Sequence, residues 1–407
     1  MKRIAIIGGG AAGLFAAINI KLLSSEVADV TIFEASSRPL GKVLISGGGR
    51  CNLTNTFQSG MHLSKIYPRG EKLMRNLFKI FDHNDTMEWF EREGVKLTAE
   101  EDGCIFPASQ DAGEIVDCLL SLAKKHDIAI RCRHRISRIR EVDEEGFDVQ
   151  FNESGSEIFD IVVATTGGSP RRDGLSLYSA LPLTIVQPVP SLFSLTIPRS
   201  SITDLMGAVV EGVELRLRGT KIRAVGDLLI THWGISGPAV LRLSSYAALK
   251  LKESDYRGTV AISWCGTRGE ELIAKELHRI IAESGRKLVA SVPPFSLTRR
   301  VWEHILVRSD ISPERRWAEL GSRGINRIIA TLNSDDYTIE GRGSHKEEFV
   351  TAGGISTSCV NPTTMQARLV KNLYLAGEVL NVDGITGGYN LQAAWSMGYV
   401  AAKNITK

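Results

Sequence analysis

"RIAIIGGGAAGLFAAINI", residues 3–20, decides the fold. Arg3–Ile7 is a short isoleucine-rich run of the kind buried on both faces of a parallel sheet. Gly8, Gly10 and Gly13 follow in the spacing G-x-G-x-x-G, and Ala11–Leu23 is rich in Ala, Leu and Ile without proline, as a helix requires. A glycine loop between strand and helix points to a dinucleotide turn. Gly8 permits the tight turn, Gly10 leaves room for a pyrophosphate against the backbone, and Gly13 lets the helix pack closely on the strand. Ala12 belongs to the first helical turn, whose unpaired amides and positive dipole end favour phosphate. The next apolar run, "ADVTIFEA" (28–35), ends in Glu34, 21 residues past Gly13. A carboxylate there accepts hydrogen bonds from both hydroxyls of an adenosine ribose and repels a 2′-phosphate, which argues against NADP at this turn.

Composition narrows the remaining classes. Over 407 residues, 43% hydrophobic and 23% charged content are those of an ordinary globular protein of two or three domains. A net charge of +3 gives no reason to expect nucleic acid or an anionic membrane as partner. No apolar run is long enough to span a bilayer, and the chain enters its first strand with no leader-like segment before it. The six cysteines (51, 104, 118, 132, 265 and 359) form neither C-x-x-C nor a metal-ligand spacing. Reduced thiols, no metal and a cytoplasmic location are therefore expected.

Beyond Glu34 the pattern predicts a glycine-rich loop over 41–56 and a helical stretch over Glu71–Glu93. Short strands near Lys96–Thr98 and Cys104–Phe106 and a helix over Ala112–Lys125 follow. A run of short strands then leads to the buried Ile161–Ala164 and the turn Thr165–Gly168. From about Gln187 alternating segments such as "GVELRLRG" and "GTVAISW" read as antiparallel β, and 269–333 reads as helical. From about Phe349 the opening style returns: "LYLAGEVL" is a buried strand ending at Gly377–Glu378, and "GGYNLQAAWSMGYVAAKNI" is a glycine turn entering a helix. The expected fold is α/β, a Rossmann-like two-segment dinucleotide domain with an insertion. Its segments are 1–190 and 349–407. The insertion is a β-rich subdomain at 191–268, a helical subdomain at 269–333 and a return strand at 334–348.

A split nucleotide domain favours non-covalent FAD over NAD as the bound dinucleotide. Glu378 is placed for the ribityl hydroxyls. The amides of Gly387, Gly388, Tyr389 and Asn390, opening the last helix, are placed to stabilise negative charge on the N1–C2=O edge of the reduced ring. No second G-x-G-x-x-G occurs, so NADH, if used, visits the flavin transiently; NADH and oxygen stay open as electron partners.

"LISGGGRCNLTN" (44–55), "GDLLITHWGISGPAVL" (226–241), "VTAGG" (350–354) and "GEVLNVDGITGGYNLQAAWSMG" (377–398) together resemble motifs of the BaiN/RdsA-like flavoproteins, which include aminoacetone oxidase. The resemblance runs from Arg3 to Ala402. It implies an FAD domain carrying a β-barrel-like subdomain that is itself interrupted by helices. It also implies oxidoreductase activity, on steroid-like enones with NADH in some members and on amino-ketones with oxygen in others. Asn381 stands where the motif usually has Asp, and Lys42 where Arg is common.

Within 41–56, Ser46, Gly48 and Gly49 present backbone amides suited to a flat ring or a phosphate. Arg50 suits a pyrophosphate or an anionic substrate, and Asn52 and Asn55 suit flavin edges. Cys51 lacks a neighbouring cysteine and is expected to be a packed or flavin-contacting thiol rather than a redox centre. Lys42, Ile136, Thr166, Gly167 and Gly377 complete the expected cofactor contacts. His232 and Tyr389 are the candidates for acid–base or substrate-facing roles, each balanced by plain packing. The expected function is hydride exchange between flavin and a small or medium organic substrate. The alternative is a flavin-dependent RNA-modification or RNA-binding protein. Its support is Arg299, Arg300, Arg308, Arg315, Arg316 and Arg323, which are interleaved with Glu303, Glu314 and Glu319.

Overall fold

A computed structural model describes residues 2–24, 28–57, 60–142, 146–153, 155–169, 172–343 and 350–407. The chain divides into two compact units, one formed by 1–190 with 346–407, the other by 191–345. The expected boundary at 348–349 lies outside the described residues.

The first unit is built on a five-stranded parallel sheet. Its spatial order is Leu373–Leu375, Ile161–Ala164, Lys2–Ile7, Ala28–Glu34, Ala129–Cys132. Ile4 lies opposite both Ile161 and Val30, so the opening strand is central, and Ile4–Ile7 and Ile161–Ala164 are buried. The opening helix Ala11–Leu23 and the closing helix Tyr389–Ile405 run so close that a Cβ at Gly398 would sit 2.8 Å from the Ala12 carbonyl oxygen. Phe15 anchors the core beside them, its ring 4.6 Å from Trp89 and 5.2 Å from Trp395. Trp395 Nε1 donates to the Leu53 carbonyl (3.0 Å) and Thr54 Oγ1 to Gln392 Oε1 (2.5 Å). Those bonds tie the 52–55 segment to the inner face of the closing helix. An antiparallel meander, Ile136–Val142, Gly146–Phe151 and Ser156–Phe159, separates the third sheet segment from the fourth in sequence.

Two stretches differ from the sequence reading. Gly41–Ile45 is helical rather than loop, and the helix breaks at Ser46, after which Gly47, Gly48 and Gly49 all take positive φ. Glu71–Glu93 is two helices, Glu71–Leu77 and His83–Arg92. The break has a cause in "DHND": the Asp82 carboxylate accepts the amides of Asn84 and Asp85, and Asp85 accepts the Asp82 amide, a reciprocal cap that starts a new helix.

The second unit is a seven-stranded antiparallel sheet in the order 335–339, 258–263, 209–217, 223–231, 234–236, 195–196, 341–342. Its first and last strands are one stretch of chain: Asp335–Ile339 pairs at one edge and Gly341–Arg342 at the other. That stretch closes the sheet on itself and removes both free edges. The helices Glu270–Ser284, Arg299–Arg308 and Gly321–Asn333 are inserted between the neighbouring strands 258–263 and 335–339. Buried Asp335 joins them to the sheet, accepting from Arg308 (2.6 Å), Trp264 Nε1 (3.2 Å) and Tyr337 (2.5 Å).

Candidate functional site

The glycine turn follows from local sterics. Gly8 has φ +114°, and a Cβ there would lie 2.3 Å from the Thr165 carbonyl oxygen; a Cβ at Gly13 would lie 2.0 Å from the Gly8 carbonyl oxygen. These two glycines are required by the protein itself. Gly10 differs, since an added Cβ meets no heavy atom within 4 Å, and the same holds for Gly48, Gly49 and Gly167. Gly10 is the N-cap of the opening helix, which has no side-chain cap and no acidic residue in its first turn. The amides of that turn therefore offer donors that no carboxylate of the helix competes for. Ala12 is buried there, its Cβ against the position a Gly377 Cβ would take (2.9 Å).

Glu34 is held at the mouth of the turn. Its Oε2 accepts the Gly9 amide (2.8 Å) and its Oε1 the Ser36 amide (2.7 Å). A Cβ on Gly9 would approach Oε2 to 3.1 Å, so the middle glycine, which the motif leaves unassigned, is what lets the carboxylate reach the turn. Each oxygen retains a lone pair for a hydroxyl donor. Ile136 is buried at the head of the meander, two residues past His134, whose amide donates to the Glu34 carbonyl (2.9 Å).

A second acidic group lies across the sheet's carboxyl ends. Glu378 Oε2 pairs with Lys42 Nζ (2.9 Å) and Oε1 accepts the Thr351 amide (2.8 Å). A Cβ on Gly168 would fall 2.3 Å from Oε1, so position 168 must lack a side chain to admit the carboxylate. Thr166 Oγ1 is bonded to the buried Tyr178 hydroxyl (3.0 Å), and Gly167 takes φ +74°. Asn381 Oδ1 accepts the Gly353 amide (2.9 Å), an acceptor role that the usual Asp would fill equally well.

The segment 46–55 and the turn 384–390 are stitched together. Asn52 accepts the Gly388 amide (3.2 Å) and donates to the Thr54 carbonyl (3.0 Å). Asn55 Nδ2 donates to the Gly387 carbonyl (3.1 Å), and Asn55 Oδ1 accepts the Phe57 amide (3.0 Å). Asn390 closes its own turn, accepting the Gly384 amide (2.8 Å) and donating to the Gly384 carbonyl (2.9 Å). The two asparagines expected at flavin edges thus also bind the turn. The Gly388 amide, expected to face the ring, is directed to Asn52. At Gly388 a Cβ would lie 2.4 Å from the Thr54 carbonyl oxygen, so the contact requires glycine.

Arg50 has partners of its own within the protein. Its guanidinium pairs with Glu100 (2.7 Å), donates to Gln110 Oε1 (3.0 Å) and lies over the Phe106 ring. Ser46 Oγ donates to the Val43 carbonyl. Cys51 is buried with φ +59°, and burial pushes its thiol up to about 12, outweighing a hydrogen bond from Ser46. It stays protonated at neutral pH and is no nucleophile.

Tyr389 is buried at the start of the closing helix, its ring 5.0 Å from Phe57 and 6.4 Å from Tyr67. Phe57 in turn meets Phe78 (5.2 Å) and His83 (4.8 Å). His83, Tyr67 and Phe57 form an aromatic wall that no motif announced; only their convergence in space identifies it. Burial lowers the His83 pKa, against the opposing pull of Asp82 and Asp85, so its ring is neutral near pH 7. His232 belongs to the second unit, exposed in the turn after Arg223–Thr231 beside the Trp233 ring. Among the described residues no cluster of His, Cys, Asp or Glu has metal-binding geometry, and no helix is long and apolar enough to cross a membrane.

The donor set fits FAD. The fold offers helix-start amides and side-chain-free backbone for a pyrophosphate, and a carboxylate anchored for a ribose. A second acidic residue and a glycine turn lie at the far end. The family model described as HI0933-like protein Rossmann domain matches residues 2–404. A 3-dehydro-bile acid delta(4,6)-reductase of Clostridium scindens is 28% identical over 99% of this chain and 98% of its own length. A ribosomal RNA dihydrouridine synthase of Escherichia coli is 29% identical over 98% and 97%. The fold is also that of a 3-ketosteroid delta1-dehydrogenase of Sterolibacterium denitrificans, with a TM-score of 0.53 at 10% identity over all of both chains.

Proposed function

Because the chain belongs to the HI0933-like Rossmann-domain family, it is an FAD-dependent oxidoreductase, and we propose that it reduces a carbon–carbon double bond conjugated to a carbonyl. Bound FAD supplies the hydride chemistry. The observation that carries the cofactor assignment is the opening turn: an uncapped helix start, open space at Gly10, and Glu34 fixed on the Gly9 amide. In this reading Gly8–Gly13 hold the pyrophosphate and Glu34 the adenosine ribose. Glu378, Thr166 and Gly167 take the ribityl side, and Ser46–Gly49 and Gly387–Asn390 flank the ring. Asn52 and Asn55 act one step back, fixing the Gly387–Gly388 backbone. The Phe57–Tyr389 wall excludes water and receives an apolar substrate face.

The conjugated acceptor is the feature that both named relatives suggest. The first is named for reduction of the delta(4,6) bonds of a 3-dehydro-bile acid, and the second forms dihydrouridine from uridine, whose reducible double bond is likewise conjugated to a carbonyl. A small or medium organic substrate is the first choice. Several arginines of the helical insert are engaged locally, Arg299 with Glu303, Arg308 with Asp335, Arg327 with Asp310, and Arg300 with the Asp204 carbonyl. The second reading, a uridine within RNA, rests on the E. coli relative, which is similar over 97% of its length.

The test is anaerobic reduction of the purified yellow protein by NADH, then reoxidation by steroid-like enones, quinones, oxygen or a ribosomal RNA fragment. Rapid reoxidation by an enone with saturation of its double bond is expected. Reoxidation by oxygen alone, with every conjugated acceptor inert, would overturn the proposal. Dihydrouridine formation with enones inert would establish the second reading.

A further inference from the structure

We propose that Arg69 and Asp383 are positioning residues that hold the Gly384–Asn390 turn in register and thereby raise the reduction potential of the bound flavin. The proposal rests on the FAD reading above. Asp383 is wholly buried and the Arg69 side chain is 14% exposed. The Arg69 Nε and Nη2 groups each donate to a different oxygen of the Asp383 carboxylate, a fork across 314 residues of sequence.

The pair is the centre of a longer contact. Ile66–Gly70 lies along Val382–Ile385: the Asp383 amide donates to the Arg69 carbonyl (3.4 Å) and the Ile385 amide to the Ile66 carbonyl (2.9 Å). Gly70 has φ +85°, and the place its Cβ would take is filled by the Val382 side chain, 2.5 Å away. One residue before the Pro68–Arg69 step, the buried Tyr67 hydroxyl donates to the Tyr389 carbonyl (2.9 Å). Burial raises the Tyr67 pKa well above its ordinary value, which keeps that proton in place. The segment thus grips both ends of the turn, Asp383 at its entry and Tyr389 at the first residue of the closing helix.

Removing one partner of a buried ion pair is strongly destabilising, whereas replacing the pair by apolar side chains of similar volume is often neutral. What the fork adds beyond burial is direction, because two parallel N–H···O bonds fix rotation and translation together. The element it directs ends in Gly387 (φ +125°) and Gly388 (φ +82°), then the first-turn amides of an uncapped 17-residue helix. Helix-start donors stabilise anionic charge only over short range, so a small shift of this turn weakens their hold on a reduced ring.

The experiment compares wild type, Arg69→Lys, Asp383→Asn and the double variant Arg69→Met/Asp383→Leu. FAD stoichiometry, melting temperature and midpoint potential by anaerobic spectroscopic titration are measured for each. The double variant is expected to bind FAD and to recover most of the stability lost in the single variants. Its midpoint should still fall, by a factor of about ten in the two-electron equilibrium, or about 30 mV. The same fall is expected for Arg69→Lys, which keeps the charge and loses the fork. A wild-type potential and flavin spectrum in the double variant would overturn the positioning role and leave the FAD reading intact. Wild-type protein that takes up no FAD would overturn the reading beneath it, and the positioning role with it.

Discussion

At the scale of single residues, the glycines divide by what surrounds them. Gly13 is hemmed by the Gly8 carbonyl at 2.0 Å from a would-be Cβ, whereas Gly10 faces open space. Gly13→Ala should therefore destabilise the apoprotein by about 1–3 kcal/mol through overpacking. Gly10→Leu should leave the apoprotein's melting temperature within about 2 °C while lowering FAD affinity at least tenfold, since only the ligand's space is filled. Calorimetry and flavin titration on both variants separate the effects, and equal destabilisation would contradict the division. Cys51 carries a pH signature. Its thiol is neutral in the fold up to about pH 12 and ionises near 9.0 once unfolded. Above pH 9 the unfolded chain binds fewer protons, so this group's stabilisation is complete below pH 9 and is lost as pH rises towards 12. Cys51→Ala should flatten that part of the stability–pH curve, and native Cys51 should resist iodoacetamide at pH 8.

At the scale of elements, caps and turns decide where the site's walls begin. Helical periodicity runs on from Glu71 to Glu93, yet the reciprocal cap of Asp82 and Asp85 starts a fresh helix at His83 and sets that ring beside Phe57. Asp82→Ala should lower stability by about 1 kcal/mol, measured by urea unfolding, and leave FAD content unchanged. Loss of flavin in this variant would mean that the His83 wall supports the cofactor directly. The cap was legible as D-x-x-D, but apolar periodicity on both sides masked it. The bonds of Asn52 and Asn55 to the 387–388 turn were not legible at all. Both side chains suit a ligand edge and a backbone clamp equally, and only the fold brings Gly387 and Gly388 to them.

At the scale of the whole molecule, charge bears on substrate size. The helical stretch 269–333 holds eleven Lys or Arg against eight Asp or Glu, an excess equal to the chain's entire +3. Several of these arginines are bound to neighbouring carboxylates or carbonyls, which leaves a modest field. Enone reduction should therefore change less than twofold when Arg286 and Arg323 are both replaced by Glu, and less than twofold between 50 and 300 mM salt. A steep fall of activity with salt, shared by the charge-reversed variant, would favour an RNA substrate, because phosphate contacts release counterions.

The sequence by itself determined the parts whose cause is local. The strand–glycine–helix turn, the position of Glu34, the antiparallel character of the middle segments and the return of a buried strand near residue 373 follow from periodicity and steric rules acting over a few residues. Tertiary structure decided the rest. It placed Leu373–Leu375 beside Ile161–Ala164, closed the inserted sheet with the single stretch 335–342, and turned Arg50 to Glu100. It also matched Arg69 to Asp383 across 314 residues. Those pairings depend on burial and hydrogen-bond satisfaction between segments far apart in the chain. Several partners of suitable chemistry exist for each group, and only packing selects among them.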